Sequence, residues 1–230
     1  MSDQGALSDG REHDFGLIET LLWTRGEGFR LLPEHLARLA ASSAALGFAH
    51  DEARVRDALN AAVAGASSGR LRVRLVLARD GTIETSVTPI EPIPPDAVWR
   101  VAVAKRRFSS ADPLLRHKTT RRALYEDTLT DAAQRCGADE VLFQNEREEL
   151  CEAARCNLFV PQGELLLTPP LSCGLLPGTL RAALLAQRRA RESILRLEDI
   201  SGSEFFLGNS VRGLVRARLI RYPVGAPVTR

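Results

Sequence analysis

The chain predicts a mixed α/β protein, and three features of its 230 residues lead there. The first half alternates strand pairs with amphipathic helices, a proline-rich stretch then breaks the pattern, and the second half returns to short strands beside helices. Residues 16–24 (GLIETLLWT) are expected to form a buried strand, and Arg25-Gly26-Glu27-Gly28 a turn into a short return strand at 29–32. Pro33 opens a helix in which Leu36, Leu39, Ala40, Ser43 and Leu46 follow the helical period, and Gly47 ends it. Asp51 is the expected N-cap of a second helix whose Val55, Leu59 and Val63 share a face.

In RLRVRLVLAR (70–79) Leu71, Val73, Leu75 and Leu77 point to one side, and Arg70, Arg72 and Arg74 to the other. Asp80-Gly81 turns this strand into a partner at 82–87. TPIEPIPPDA (88–97) holds enough proline to interrupt pairing; a strand at 99–104 follows, with a change of domain expected shortly after it. Residues 108–120 have no clean period, and a helix is expected over 121–136. Strands at 140–144, 158–160 and 164–168 come next, with turns at Asn145-Glu146 and Gln162-Gly163. A glycine- and proline-rich loop then enters a helix from Thr179 to about Arg191.

Composition narrows the function. A hydrophobic content of 44% is enough for a real core, and a formal charge of +2 is too small for the broad basic field of a non-specific nucleic-acid binder. The first fourteen residues lack an apolar leader core, and no apolar run approaches the roughly 18 residues of a membrane helix, so a cytoplasmic protein without membrane or nucleic-acid partners is expected. Cys136, Cys151, Cys156 and Cys173 form no C-x-x-C pair and have no histidine at ligand spacing, so they read as reduced, packed thiols, and no metal is expected.

Of the 31 basic residues only Lys105 and Lys118 are lysines. A reaction that needs a primary amine cannot use arginine, which attends to charge but does not lose its proton. Three other places invite chemistry, each with a plain alternative. The loop and helix start GLLPGTLR (174–181) suits a phosphate, or is a capped helix start. Glu152 precedes a largely apolar strand and needs a cationic partner there, or is a surface residue. His35 and Arg38 share a helix face that reaches an anion, or is merely solvated.

Six segments, in order, carry a resemblance: FGLIET (15–20), FRLLPEHLARLAASSAALGF (29–48), HKTTRRALYED (117–127), ADEVLFQNEREELCEAARCNLFV (138–160), LLTPPLSCGLLPGTLR (166–181) and FFLGNSVRGLVRARL (205–219). Together they resemble the class IV aminotransferases, the fold-type IV enzymes that include branched-chain and D-amino-acid aminotransferases and aminodeoxychorismate lyase. The resemblance implies a D-amino-acid aminotransferase-like fold of two α/β domains, 1–110 and 111–230, a pyridoxal 5'-phosphate cofactor between them, and a homodimer. Lys118 matches the lysine that carries the cofactor, Glu152 the glutamate on its ring nitrogen, and Arg38 the arginine on its phosphate. Gly178, Thr179, Leu180 and Arg181 match the family's Gly-Ile-Thr-Arg loop with the middle pair out of order. Asn209-Ser210 matches a later turn near the phosphate, and Asn157 a structural anchor. Lys105, beside Arg106 and Arg107, is read as a surface residue.

HKTTRRALYE, FGLIETLLW and FLGNSVRGL look most like the lyases, which convert 4-amino-4-deoxychorismate into 4-aminobenzoate and pyruvate. Arg74, Arg122 and Arg212 are the candidates for the small-molecule substrate's two carboxylates. The alternatives are an aminotransferase acting on branched-chain or D-amino acids with a 2-oxo acid, and a homologue that binds without catalysing.

Overall fold

A computed structural model describes residues 15–221. Two sheets carry the fold. The smaller contains β1 (Leu17–Thr24), β2 (Gly28–Phe29), β3 (Arg70–Leu77) and β4 (Ile83–Pro89), antiparallel in the order β2-β1-β3-β4. Helices α1 (Leu32–Leu46) and α2 (Glu52–Val63) cover one face. The alternation read in β3 decides that packing: Leu71, Val73, Leu75 and Leu77 are buried against Leu36, Leu39, Val55 and Leu59, leaving the arginines on the opposite face.

The return strand is shorter than expected, because Leu31 takes a left-handed conformation and the helix begins at Leu32. Strand β4, in contrast, runs to Pro89, which pairs with Leu71. Proline is tolerated there because β4 is an edge strand whose outer side has no ladder to serve.

The larger sheet draws on β5 (Val98–Phe108), β6 (Glu140–Asn145), β7 (Leu150–Ala153), β8 (Asn157–Gln162), β9 (Leu165–Thr168), β10 (Ala190–Glu192), β11 (Phe205–Asn209) and β12 (Gly213–Leu219). Their order is β10-β9-β8-β11-β12-β5-β6-β7, and β7 pairs back onto β8 through Glu152 and Asn157, so the six strands from β8 round to β7 close on themselves. Strand β5 pairs with β12 and β6 in this sheet, although a division at residue 110 counts it with the first half. Sheet membership therefore changes across the proline-rich stretch.

Four strands escape the periodic reading, β10 among them because it was read as helix. Every residue of β7 is buried, so it shows no alternation, and β11 and β12 are short strands joined by a tight turn. The helix expected from Thr179 to about Arg191 is corrected: α4 spans Thr179–Ala186, Gln187 caps it, Arg188 turns through a left-handed conformation, and Ala190–Glu192 joins β9 in parallel. Burying Ala190 with Phe159 and Leu184 outweighs continuing a helix through the polar run QRRA. Helix α3 (Ala123–Cys136) packs Tyr125 against Phe108 and Phe143, with ring centroids 5.3 Å from each. Among the described residues no helix is long and apolar enough to cross a membrane.

The Asp51 carboxylate accepts from the backbone N–H groups of Ala53 at 2.9 Å and Arg54 at 3.2 Å, closing the start of α2. Replacing Asp51 by Ala is expected to lower stability by about 1 kcal/mol, and by Asn much less. Urea unfolding should show a lower midpoint at unchanged slope.

Candidate active site

Lys118 lies in the segment without a period because tertiary pairing holds that segment in place. The Ile18 N–H donates to the Lys118 carbonyl at 2.8 Å, and the Thr120 N–H donates to Gly16 O at 2.9 Å. On the approach to it, Asp112 caps the 3-10 turn Pro113–Arg116 through the Leu114 N–H, and His117 Nδ1 meets Ser42 Oγ at 2.9 Å. The strap thus crosses between the sheets and puts Lys118 in the wall of a crevice of about 340 Å³. Burial pushes its amine down to about 7, with Arg122 and Arg38 adding to the shift and Glu19 and Glu152 opposing it. Lys105 is exposed on β5 and far from such a setting.

Glu152, in β7, faces the same crevice. The Tyr125 hydroxyl donates to Oε1 at 2.9 Å and the Leu176 N–H to Oε2 at 3.2 Å. Burial nevertheless raises its carboxyl to about 7, because two neutral donors and the more distant charges of Arg122 and Lys118 compensate only part of the lost hydration. Asn157, its cross-strand neighbour, donates from Nδ2 to the Leu176 carbonyl at 3.0 Å. A Cβ on Gly178 would stand 1.9 Å from Asn157 Oδ1, so only glycine lets the loop seat on this amide. Asn157 is therefore the anchor of the loop that reaches Glu152.

At another part of the wall, the Arg38 guanidinium donates from Nε to Glu19 Oε1 at 2.9 Å and from Nη2 to Oε2 at 2.6 Å, while Nη1 donates to Pro177 O at 3.2 Å. His35 bonds Glu19 through Nδ1, and its Nε2 lies 3.3 Å from Thr179 Oγ1. Burial would raise the Glu19 carboxyl, but the charge of Arg38 and the bonds from His35 and Arg38 prevail and hold it at about 2. Glu19 was not singled out in the sequence, although a lone carboxylate inside the apolar run GLIETLLWT is itself a signal that a cation must lie opposite.

Gly178, Thr179 and Ser210 line the crevice, and Ser210 Oγ donates to the Thr20 carbonyl at 3.2 Å. The Leu180 side chain turns instead into the apolar cluster of Phe159 and Leu184, leaving it only a backbone N–H to offer. Arg181 is buried away from the crevice, bound to Pro169 O and Glu192. Asn209 Oδ1 accepts from the N–H groups of Val211 at 3.0 Å and Arg212 at 2.8 Å, which shapes the turn between β11 and β12.

All three substrate arginines expected from the sequence, Arg74, Arg122 and Arg212, line the crevice, joined by Arg38, Arg72 and Arg155. Arg155 is paired with Glu140 at 2.7 Å. Arg122 donates to the Ala154 carbonyl and lies 4.8 Å from the centroid of the Tyr125 ring, so its contacts are largely with the protein. Cys151, Cys156 and Cys173 are buried free thiols and Cys136 is half-buried. Among the described residues no group of three or more His, Cys, Asp or Glu side chains is placed to hold a metal ion.

Comparison with known proteins agrees with this architecture. Residues 16–220 match the family model for amino-transferase class IV. A Schizosaccharomyces pombe protein named "Putative aminodeoxychorismate lyase" is 31% identical over 213 residues, 90% of each chain. A crystal structure of a "Putative amino-acid aminotransferase" from Mesorhizobium loti is 45% identical with a TM-score of 0.85, covering 90% of this chain and 100% of its own. A hypothetical aminotransferase from Mycobacterium tuberculosis, in its alpha-ketoglutarate and PMP bound form, is 26% identical with a TM-score of 0.76, covering 94% of this chain and 86% of its own. The chain belongs to the class IV aminotransferases, a family of enzymes of fold type IV.

Proposed function

We propose that the crevice binds pyridoxal 5'-phosphate and that the protein is a 4-amino-4-deoxychorismate lyase, releasing 4-aminobenzoate and pyruvate. One observation carries the cofactor assignment, which both readings of the reaction share: a buried lysine whose amine sits near 7 shares a crevice with a buried glutamate and six arginines. Glu152 fits the cofactor's ring nitrogen, since its buried carboxyl is raised to about 7 and a protonated nitrogen is the cation that would bring it down again. Thr179, Ser210 and the start of α4 fit its phosphate, with Arg38 adding positive charge from its place on Glu19 and Pro177.

When bound, the cofactor supplies an aldehyde for amines and a ring that draws electrons from the carbon beside them. The Lys118 amine is partly unprotonated near neutrality, so it can hold the aldehyde and later yield it to the substrate amine. Lys118 Nζ would also be the base that takes the proton from the substrate ring carbon bearing the amine. Glu152, held by Tyr125 and Leu176, keeps the ring nitrogen protonated. Arg74 and Arg212 are the better placed partners for the substrate's two carboxylates, because Arg122 is already engaged by Ala154 and Tyr125. The name of the Schizosaccharomyces pombe relative supports the lyase. The name of the Mesorhizobium loti structure, at higher identity, favours the second reading, an aminotransferase working with a 2-oxo acid through the same Lys118 and Glu152. In either case a cytoplasmic homodimer is the working form we propose.

Purified protein mixed with pyridoxal phosphate is expected to show the visible band of a lysine-bound cofactor, and Lys118→Ala to lack it. Adding 4-amino-4-deoxychorismate should then release 4-aminobenzoate. A band without that product, together with amino-group exchange from amino acids to 2-oxo acids, moves the assignment to the aminotransferase. The rate of cofactor attachment should rise with pH through about 7, where Lys118 sheds its proton, rather than near the usual lysine value of 10.5. Stopped-flow absorbance across that range checks it.

A further inference from the structure

Tyr125 was not part of the expected site, yet it is the direct side-chain partner of Glu152. It rises from α3, its hydroxyl 2.9 Å from Glu152 Oε1, and its ring is wedged 5.3 Å from the centroids of Phe108 and Phe143. The Arg122 guanidinium lies 4.8 Å from the ring centroid and is itself fixed by the carbonyl of Ala154, the first residue after β7 and two beyond Glu152. These ring contacts hold the phenol with its hydroxyl on Glu152. Its hydroxyl donates to Glu152 Oε1, the direction that the ionised carboxylate requires, since that form only accepts.

We infer that Tyr125 is a positioning residue that acts through Glu152, directing one carboxylate oxygen and stabilising its charged form so that Glu152 selects a cofactor with a basic ring nitrogen. This rests on the assignment of Glu152 to that nitrogen. The charged and titratable groups around the carboxylate are Tyr125 and Arg122 at the start of α3, Lys118 on the strap and Cys151 in β7 itself. Of these, Tyr125 is the side chain hydrogen-bonded to it. The Leu176 N–H on Oε2 is a backbone donor that a change at Tyr125 leaves in place, so deleting the phenol isolates the side-chain contribution.

The test compares pyridoxal phosphate with its 1-deaza analogue, in which carbon replaces the ring nitrogen, by absorbance titration of the apoprotein. Wild type should prefer the natural cofactor. Tyr125→Phe keeps the ring packing and removes one hydrogen bond to a charged group, so the preference should fall about tenfold, with affinity for the analogue nearly unchanged. Glu152→Gln should abolish the preference, and the double variant should match Glu152→Gln alone. Replacing tyrosine by 3-fluorotyrosine, a stronger donor of the same shape, should raise the preference, and it keeps the inference testable if Tyr125→Phe fails to fold. Equal weakening of both ligands in Tyr125→Phe, or an undiminished preference, overturns the inference and leaves the Glu152 assignment standing. A wild-type preference that survives Glu152→Gln overturns both.

Discussion

Much of this molecule hangs on a buried carboxylate, Glu19, the one charged side chain of a largely apolar strand. Arg38 meets both of its oxygens and His35 one of them, so α1 is fixed against β1 by charge as well as by packing. Removing one partner of such a group leaves an uncompensated buried charge, at a cost of about 3–5 kcal/mol. The same arginine reaches the Pro177 carbonyl, and His35 reaches Thr179, so the ion pair also holds the loop of the larger sheet. From there Leu176 touches Glu152, and Glu152 touches Tyr125. One line of hydrogen bonds runs from the small sheet to α3 and determines where the crevice walls stand.

Along that line the fold sets the two titrating groups of the site against each other. Lys118 and Glu152 are both drawn to about 7, from opposite sides, by the same loss of hydration. Each is left in a state suited to exchanging protons at neutral pH, as the proposed roles of Lys118 require. The arginines around them make the crevice attractive to anions, and several are already committed. Arg38 serves Glu19, Arg155 serves Glu140, and Arg122 braces Tyr125.

The departure from the family's phosphate loop has a simple structural counterpart. Thr179 faces the crevice and finds His35, while Leu180 fills the apolar cluster beneath α4. The altered order thus gives each side chain a compatible setting, and Gly178 keeps the loop seated on Asn157 because no Cβ intrudes.

The sequence by itself determined the alternation of β3, the Gly47 end of α1, the Asp51 cap of α2, and the scarcity of lysine that pointed to Lys118, because these depend on local periodicity and residue chemistry. Its motifs also carried the family. Only the tertiary structure decided the rest. The strand holding Glu152 is buried on both faces and so carries no alternation to read, and α4 stops at Ala186 because Ala190 is more stable in the sheet. The Glu19–Arg38 pair spans 19 residues and the Tyr125–Glu152 bond 27, separations that no periodicity encodes. What brings them together is the need of a buried carboxylate for a donor, which is satisfied only once the two sheets and their helices have packed.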